Sequence, residues 1–316
     1  MPGLDRRIRR PPRRVLLLID VLHWALELKS RQIQHRIHPE FEITVVCDDQ
    51  LNASQLASYD LVCVYFWQQI GLRPHLLEAF EACRDKLLIG ICAHDLMEGA
   101  WRKPGLELMR RFARAVFVNN RLLLTEYEDK FDVPVFYTPN GVDTRFFRPR
   151  LLPRRQPGPM RVGWAGSLSN HGPEQRGFHD VIVPAAAAAG VELVTAVRED
   201  RWRSPRQMRD YYRGIDVYLC ASRNEGTPNP CLEAAACGIP IVSAPVGCMP
   251  ELIRDGQNGF LVNRNVDAFA AALRYLRDRP ECRSQMGTTA RRMVRSWDWR
   301  ILVKNYEAMF RAVLAA

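Results

Sequence analysis

The chain holds 316 residues, with 45 Lys and Arg against 35 Asp and Glu, a formal net charge of +10, and 47% apolar residues. That length exceeds what one hydrophobic core usually serves, so two domains of roughly 150 residues each are expected. The sequence has no run of about eighteen uncharged apolar residues, which argues against a transmembrane helix. The nearest approach, residues 181–197, is interrupted by Pro184, Gly190 and Glu192.

The first ten residues are basic and lead straight into a strand-like run without a small-residue cleavage site, unlike a secretion signal, so a cytoplasmic location is expected. Arg14 to Asp20 is a continuous apolar run ending in Asp, the pattern of a strand buried on both faces. A helix is expected next, with Trp24, Leu28, Ile33 and Ile37 along one side. Further strand-like runs fall at 41–47, 61–66, 87–92, 115–118 and 135–137, separated by helix-like segments. Residues 149–159 are rich in Pro and Arg and read as a linker. A second alternating series has its strands at 160–164, 191–196, 217–220, 241–244 and 259–262. The last helix, roughly Ile301 to Leu314, carries Leu302, Tyr306, Met309, Phe310 and Val313 at helical spacing. These elements predict an α/β protein with domains at 1–148 and 160–297, and with 298–316 packing back on the first. Two Rossmann-like parallel sheets would then face each other across a cleft, the default place for a substrate.

The nine cysteines form no C-x-x-C pair and sit mostly in apolar runs, as small buried hydrophobes of a reducing compartment. No His or Cys cluster has metal-ligand spacing, so no metal is expected. Arginine supplies most of the excess charge, at Arg6, Arg7, Arg9, Arg10, Arg13 and Arg14 and again at Arg148, Arg150, Arg154 and Arg155. Such clusters suit a phosphorylated substrate or the anionic inner membrane surface, or else form a solvated tail and linker. Nucleic acid fits least, because no aromatics interleave the Arg runs.

Residues 222–233, Ser-Arg-Asn-Glu-Gly-Thr-Pro-Asn-Pro-Cys-Leu-Glu, set Glu225 and Glu233 around a loop that turns into a helix. Gly226 permits unusual dihedrals, Asn229 is suited to be the N-cap, and Pro230 suits the first helical position. A helix starting there would turn free N–H groups toward a bound anion. Taken alone, the segment reads equally as a surface loop-to-helix junction.

Taken together, several segments resemble the nucleotide-sugar glycosyltransferases of the GT-B fold, in the retaining group called family 4. They are the Pro-Asn-Gly-Val-Asp turn at 139–143, Gly163-Trp164-Ala165-Gly166, Gln175-Arg176-Gly177, the glutamate pair followed by Ala-Ala-Ala-Cys-Gly-Ile-Pro-Ile-Val, and the run from Pro250 to Val262. The resemblance implies a metal-independent retaining hexosyltransferase with a nucleotide-sugar donor, no other cofactor, and a saccharide, lipid-linked glycan or protein acceptor. By the same resemblance Glu225 contacts donor-sugar hydroxyls, Arg176 neutralises the leaving diphosphate, and Glu233 accepts from the ribose. Gly166, Ser167, Gly226, Thr227, Pro228, Asn229 and Leu232 complete the donor site, and His94 faces the transferred sugar from the first domain. A lone His after a strand is more often structural. Two departures stand out: many relatives have Arg where this chain has Ser167, and the glycine-rich turn common after the first strand is replaced by Asp20-Val21-Leu22-His23-Trp24. Arg198 and His171 are candidates to supply the missing charge. A non-catalytic nucleotide-sugar-binding or scaffold protein on the same fold is the alternative that Ser167 leaves open.

Overall fold

The computed structural model describes residues 11–22, 24–94, 97–150, 158–169 and 172–316. Strands β1 (Arg13–Ile19), β2 (Phe41–Cys47), β3 (Leu61–Val64), β4 (Leu87–Ile91), β5 (Ala115–Val118) and β6 (Val135–Tyr137) form one parallel sheet, ordered β2-β1-β3-β4-β5-β6. Strands β7 (Arg161–Gly166), β8 (Glu192–Val197), β9 (Val217–Cys220), β10 (Ile241–Ser243) and β11 (Gly259–Leu261) form the second, ordered β11-β10-β9-β7-β8. The expected α/β architecture of two parallel sheets is present. All described pairings in both sheets are parallel, which requires crossover helices and leaves both sheet faces covered.

Alternation along the strands distributes side chains to the two faces. Leu16 and Leu18 of β1 join one core layer with Val62, Val64 and Ile89, while Val15, Leu17 and Ile19 join the opposite layer with Cys63, Tyr65 and Phe117. The second sheet divides likewise, Val217 and Leu219 to one side and Tyr218 and Cys220 to the other. The helix Trp299–Ala315 lies on the first sheet, where Trp299, Val303, Tyr306, Met309 and Phe310 pack with Val15, Leu17 and Ile19. The chain therefore crosses between domains twice. The crossings are tied at Val142, whose N–H donates to Trp297 O at 2.9 Å and whose carbonyl accepts from Trp299 N–H at 3.2 Å. No helix among the described residues is long and apolar enough to cross a membrane.

Three local expectations need correction. The helix Ala25–Arg36 buries Lys29, Ser30 and Ile33, whereas Leu28 is 49% exposed and Trp24 half-buried. The step of five residues from Leu28 to Ile33 turns about 140° round the helix, so the two cannot share a side, and Leu28 meets the cleft while Ile33 meets the core. The ammonium of Lys29 lies 4.6 Å from the Tyr65 ring centroid and 5.7 Å from that of Tyr306, which explains how a lysine is tolerated there. Next, the helix expected to begin after an Asn229 N-cap spans Asn229–Ala236 and follows Pro228. The Asn229 side chain accepts from Asn140 Nδ2 at 3.2 Å instead of capping its own helix. Lastly, Arg13 and Arg14 belong to β1 rather than to a basic tail. Arg13 pairs with Asp60 at 3.2 Å, and Arg14 donates from Nη1 to Ser58 O at 2.9 Å. Arg6, Arg7, Arg9, Arg10, Arg154, Arg155 and His171 lie outside the described residues.

Candidate active site

Both sheets reverse their direction of winding at one place, between β1 and β3 in the first and between β7 and β9 in the second. In open parallel sheets ligands bind beyond the carboxyl ends of the strands at such a point. A cavity of about 330 Å³ lies there in the second domain and is roofed by Trp24, Ala25 and Leu28 of the first.

Each part of the wall has a simple origin. Strand β7 ends at Gly166, and Ser167 follows it. The segment after β9 brings Ser222, Glu225, Thr227, Pro228 and Asn229 to the rim, and the helix Asn229–Ala236 turns Glu233 inward. Arg176 arrives at the end of the short helix Gly172–Arg176, just before Gly177, whose φ of +68° places it in the left-handed region that suits glycine. A Cβ at Gly177 would also lie 2.2 Å from Ala221 O, so the backbone there must pass close to the end of β9.

Arg176 and Glu225 form an ion pair, with Nη1 against Oε1. Ser222 Oγ donates to the same Glu225 oxygen at 2.8 Å. Elsewhere in the lining, Tyr212 OH donates to Glu233 Oε2 at 2.7 Å. Burial pushes the Glu233 carboxyl up to about 7, with the Tyr212 hydrogen bond acting in the other direction. The cavity is thus lined both by an arginine–glutamate pair and by a glutamate with elevated proton affinity.

Of the predicted site residues, Gly166, Ser167, Arg176, Glu225, Thr227, Pro228, Asn229 and Glu233 line this one cavity. Leu232 does not, because its side chain is buried in the second-domain core. Gly226 lies at the seam between the domains: a Cβ there would lie 1.6 Å from Cys92 O, and its carbonyl accepts from Asn120 Nδ2 at 3.0 Å. His94 follows β4 two residues beyond that seam, with Nδ1 3.5 Å from Glu126 Oε2 and Nε2 buried without a hydrogen-bond partner among the described residues. The segment after His94 also touches the loop of the glutamate pair, through Asn224 Nδ2 donating to Glu98 Oε2 at 2.9 Å. Other contacts across the seam are the Glu251 carboxylate accepting from Tyr137 OH at 2.5 Å and from Arg121 N–H at 2.7 Å.

Sequence reasoning missed several wall residues: Trp24, Leu28, Trp202 and Tyr212. Spacing carries no signal for them: Trp24 and Trp202 lie outside helices, and a helical Leu28 or Tyr212 reads alike whether it meets a cleft or a core. The turn after β7 is also more specific than expected. Glu199, just past β8, accepts from Leu168 N–H at 3.1 Å, from Ser169 N–H at 3.0 Å, from Ser169 Oγ at 2.6 Å and from Ser167 Oγ. The hydroxyl of Ser167, then that of Ser169, hold the Glu199 carboxyl well below the usual carboxylate range. At the end of β2, Cys47, Asp48 and Asp49 cluster, but Asp48 is tied to Arg73 at 2.5 Å.

Residues 161–279 match the family described as Glycosyl transferases group 1. Among curated proteins, the D-inositol 3-phosphate glycosyltransferase of Saccharomonospora viridis is 34% identical over 173 residues, covering 52% of this chain and 38% of the relative. The enzyme of the same name from Thermomonospora curvata is 37% identical over 93 residues, covering 29% and 22%. The chain thus spans well under half the length of these relatives. Among solved structures, Anabaena HepE in complex with UDP and glucose superposes with a TM-score of 0.73 at 15% identity, covering 95% of this chain and 100% of that one. Sucrose-phosphate synthase from Thermosynechococcus elongatus follows at 0.71 and 15%, covering 96% and 99%. The two-domain frame is the GT-B fold, and the motifs that resemble family 4 lie mostly in the segment that the family description covers.

Proposed function

We propose, from the group 1 glycosyltransferase domain at residues 161–279 and its GT-B frame, that the chain transfers a sugar from a nucleoside-diphosphate donor to an acceptor, with retention of configuration. The observation that carries this reading is the joint presence of Arg176, Glu225 and Glu233 on the wall of one cavity at the switch point of the second sheet. That HepE was solved with UDP and glucose supports a nucleotide-sugar donor here.

Cleaving the bond between a sugar and a diphosphate develops positive charge on the sugar and negative charge on the leaving group. Groups that stabilise the two differently in the transition state accelerate the step. Arg176 would meet the departing phosphate with a fixed guanidinium and so supply without a metal the charge that the leaving group needs. Glu225, already oriented by Arg176 and Ser222, would accept from donor-sugar hydroxyls. Glu233 offers two acceptor oxygens to a ribose diol, and Tyr212 holds one of them in place. The backbone from Gly226 to Asn229 would hold the diphosphate. His94, on the first-domain side, would stand near the transferred sugar. Retention follows from a front-side path in which the leaving phosphate takes the acceptor proton, so that neither glutamate serves as a covalent nucleophile. The acceptor is a saccharide, a lipid-linked glycan or a protein.

A panel of nucleotide sugars incubated with the full chain and with Arg176→Ala and Glu225→Ala tests this reading. Donor consumption by the wild type, lost in both variants, with the anomeric configuration of the product read by NMR and activity unchanged by a chelator, supports it. Equal turnover in all three removes the residue assignments, an inverted product removes retention, and loss of activity with the chelator removes metal independence.

A further inference from the structure

Three observations bear on the cation that is missing at Ser167. The turn after β7 has little to offer a phosphate, because its Leu168 and Ser169 amides and both serine hydroxyls already donate to the carboxylate of Glu199. A phosphate placed there would meet a negative charge. Abreast of that turn, however, stands Arg198, whose N–H donates to Gly166 O at 3.0 Å and whose side chain lines the same cavity as Arg176 and Glu225. Its guanidinium carbon lies 3.4 Å from the ring centroid of Trp24, which belongs to the first domain. Among the described residues it thus has an aromatic face, rather than a carboxylate, beside it.

We propose that Arg198 is the second cation on the donor diphosphate, and that Trp24 is a positioning residue that holds it across the cleft. The inference rests on the reading of this cavity as a donor site and goes beyond it. The charge that the family 4 resemblance places directly after the β7 glycine is here carried by the residue that follows the neighbouring strand β8. The glycine-rich turn after β1 is correspondingly replaced by a segment that brings an indole to meet it. An arginine suits this arrangement because its planar group stacks on a ring while its N–H edge stays available to oxygen. Donor affinity therefore depends on a residue of the first domain, and the two domains must be together for the phosphate site to be complete.

The test is calorimetric binding to the full chain of UDP, GDP, ADP and dTDP, with the matching nucleosides as probes without phosphate, for wild type, Arg198→Gln, Arg198→Lys, Trp24→Ala, Trp24→Phe and the double variant Arg198→Gln with Trp24→Ala. Melting temperatures establish that each is folded. For the diphosphate that the wild type binds, Arg198→Gln is expected to weaken affinity about 10- to 100-fold. The affinity for the matching nucleoside should change less than about twofold, and Arg198→Lys should recover part of the loss. Trp24→Ala should weaken the diphosphate about 3- to 10-fold and Trp24→Phe less, since a ring face remains. The double variant should bind no worse than Arg198→Gln alone, because the two act through one contact. Diphosphate binding by Arg198→Gln at wild-type strength, or a parallel loss of diphosphate and nucleoside, overturns the role of Arg198 while leaving the donor-site reading intact. A Trp24→Ala loss that adds in full to that of Arg198→Gln overturns the role of Trp24. A wild-type protein that binds none of the diphosphates overturns the donor-site reading and this inference together.

Discussion

Tyr212 and Glu233 share a 2.7 Å hydrogen bond at one wall of the cavity, and that contact joins a buried phenol to a carboxyl whose proton affinity burial has raised to about 7 from 4.5. A carboxyl with a raised folded-state value contributes stability that is fully present below 4.5 and is lost as pH rises through about 7. The melting temperature of the wild type should therefore fall between pH 5 and pH 8 by more than that of Glu233→Gln, which cannot ionise. The difference corresponds to about 1 to 3 kcal/mol. Nucleoside-diphosphate affinity should strengthen more steeply through pH 7 in the wild type, where the carboxylate becomes a better acceptor, than in Glu233→Gln, where only the second ionisation of the diphosphate itself remains. Parallel pH profiles for the two proteins would remove this group from both effects.

Arg176 and Glu225 form an ion pair on the cavity wall, so removing either takes a charge partner from the other in a half-buried place. Arg176→Ala and Glu225→Ala should each lower turnover about 10²- to 10³-fold, the scale of losing one fixed charge-stabilising group. The double variant should fall well short of the product of the two losses. Steady-state rates of donor consumption measure this.

Gly226 has no room for a side chain, because the backbone of the first domain stands where its Cβ would be. Gly226→Ala must push Cys92 and the loop of the glutamate pair apart, at a cost of about 1 to 3 kcal/mol. The expected outcome is at least a tenfold loss of kcat/KM with a larger radius of gyration in solution scattering. An unchanged radius with full activity would show that the seam does not need this glycine.

Glu251 fastens the second domain to the first through Tyr137 and the Arg121 amide. Tyr137→Phe should destabilise the protein by about 1 to 2 kcal/mol, since the partner carboxylate is left half-buried with one donor fewer. Calorimetry should show the loss as a lower melting temperature, and Glu251→Ala should lower it further by removing both contacts.

The strands were legible because a strand covered on both faces leaves a continuous apolar run, as in residues 61–64 or 115–118, and helix patterns break such runs within a few residues. Glu225 and Glu233 were legible through their spacing around a Gly and Pro loop. What sequence could not supply was the effect of the second domain on the first. Leu28 and Ile33 lie on different sides of one helix, and only the meeting of two sheets decides which side faces a cleft and which a core. Asn229 carries every local preference of a cap, but Asn140 from the crossing segment claims its side chain. Arg198 was legible only as one of two candidates, with His171, to supply the missing charge, because the indole that sets it apart belongs to another domain.

The helix Trp299–Ala315 has a bearing on how the molecule is made. It covers the face of the first sheet that carries Val15, Leu17 and Ile19, although nearly 280 residues of chain separate them. During synthesis the first domain must wait with that apolar face only partly covered, by the helix Ala25–Arg36, while the second domain, whose strands all precede the last helix, is completed. The half of the protein made first is therefore the half finished last, and a chaperone or protease that surveys nascent chains would find its target on the amino-terminal sheet.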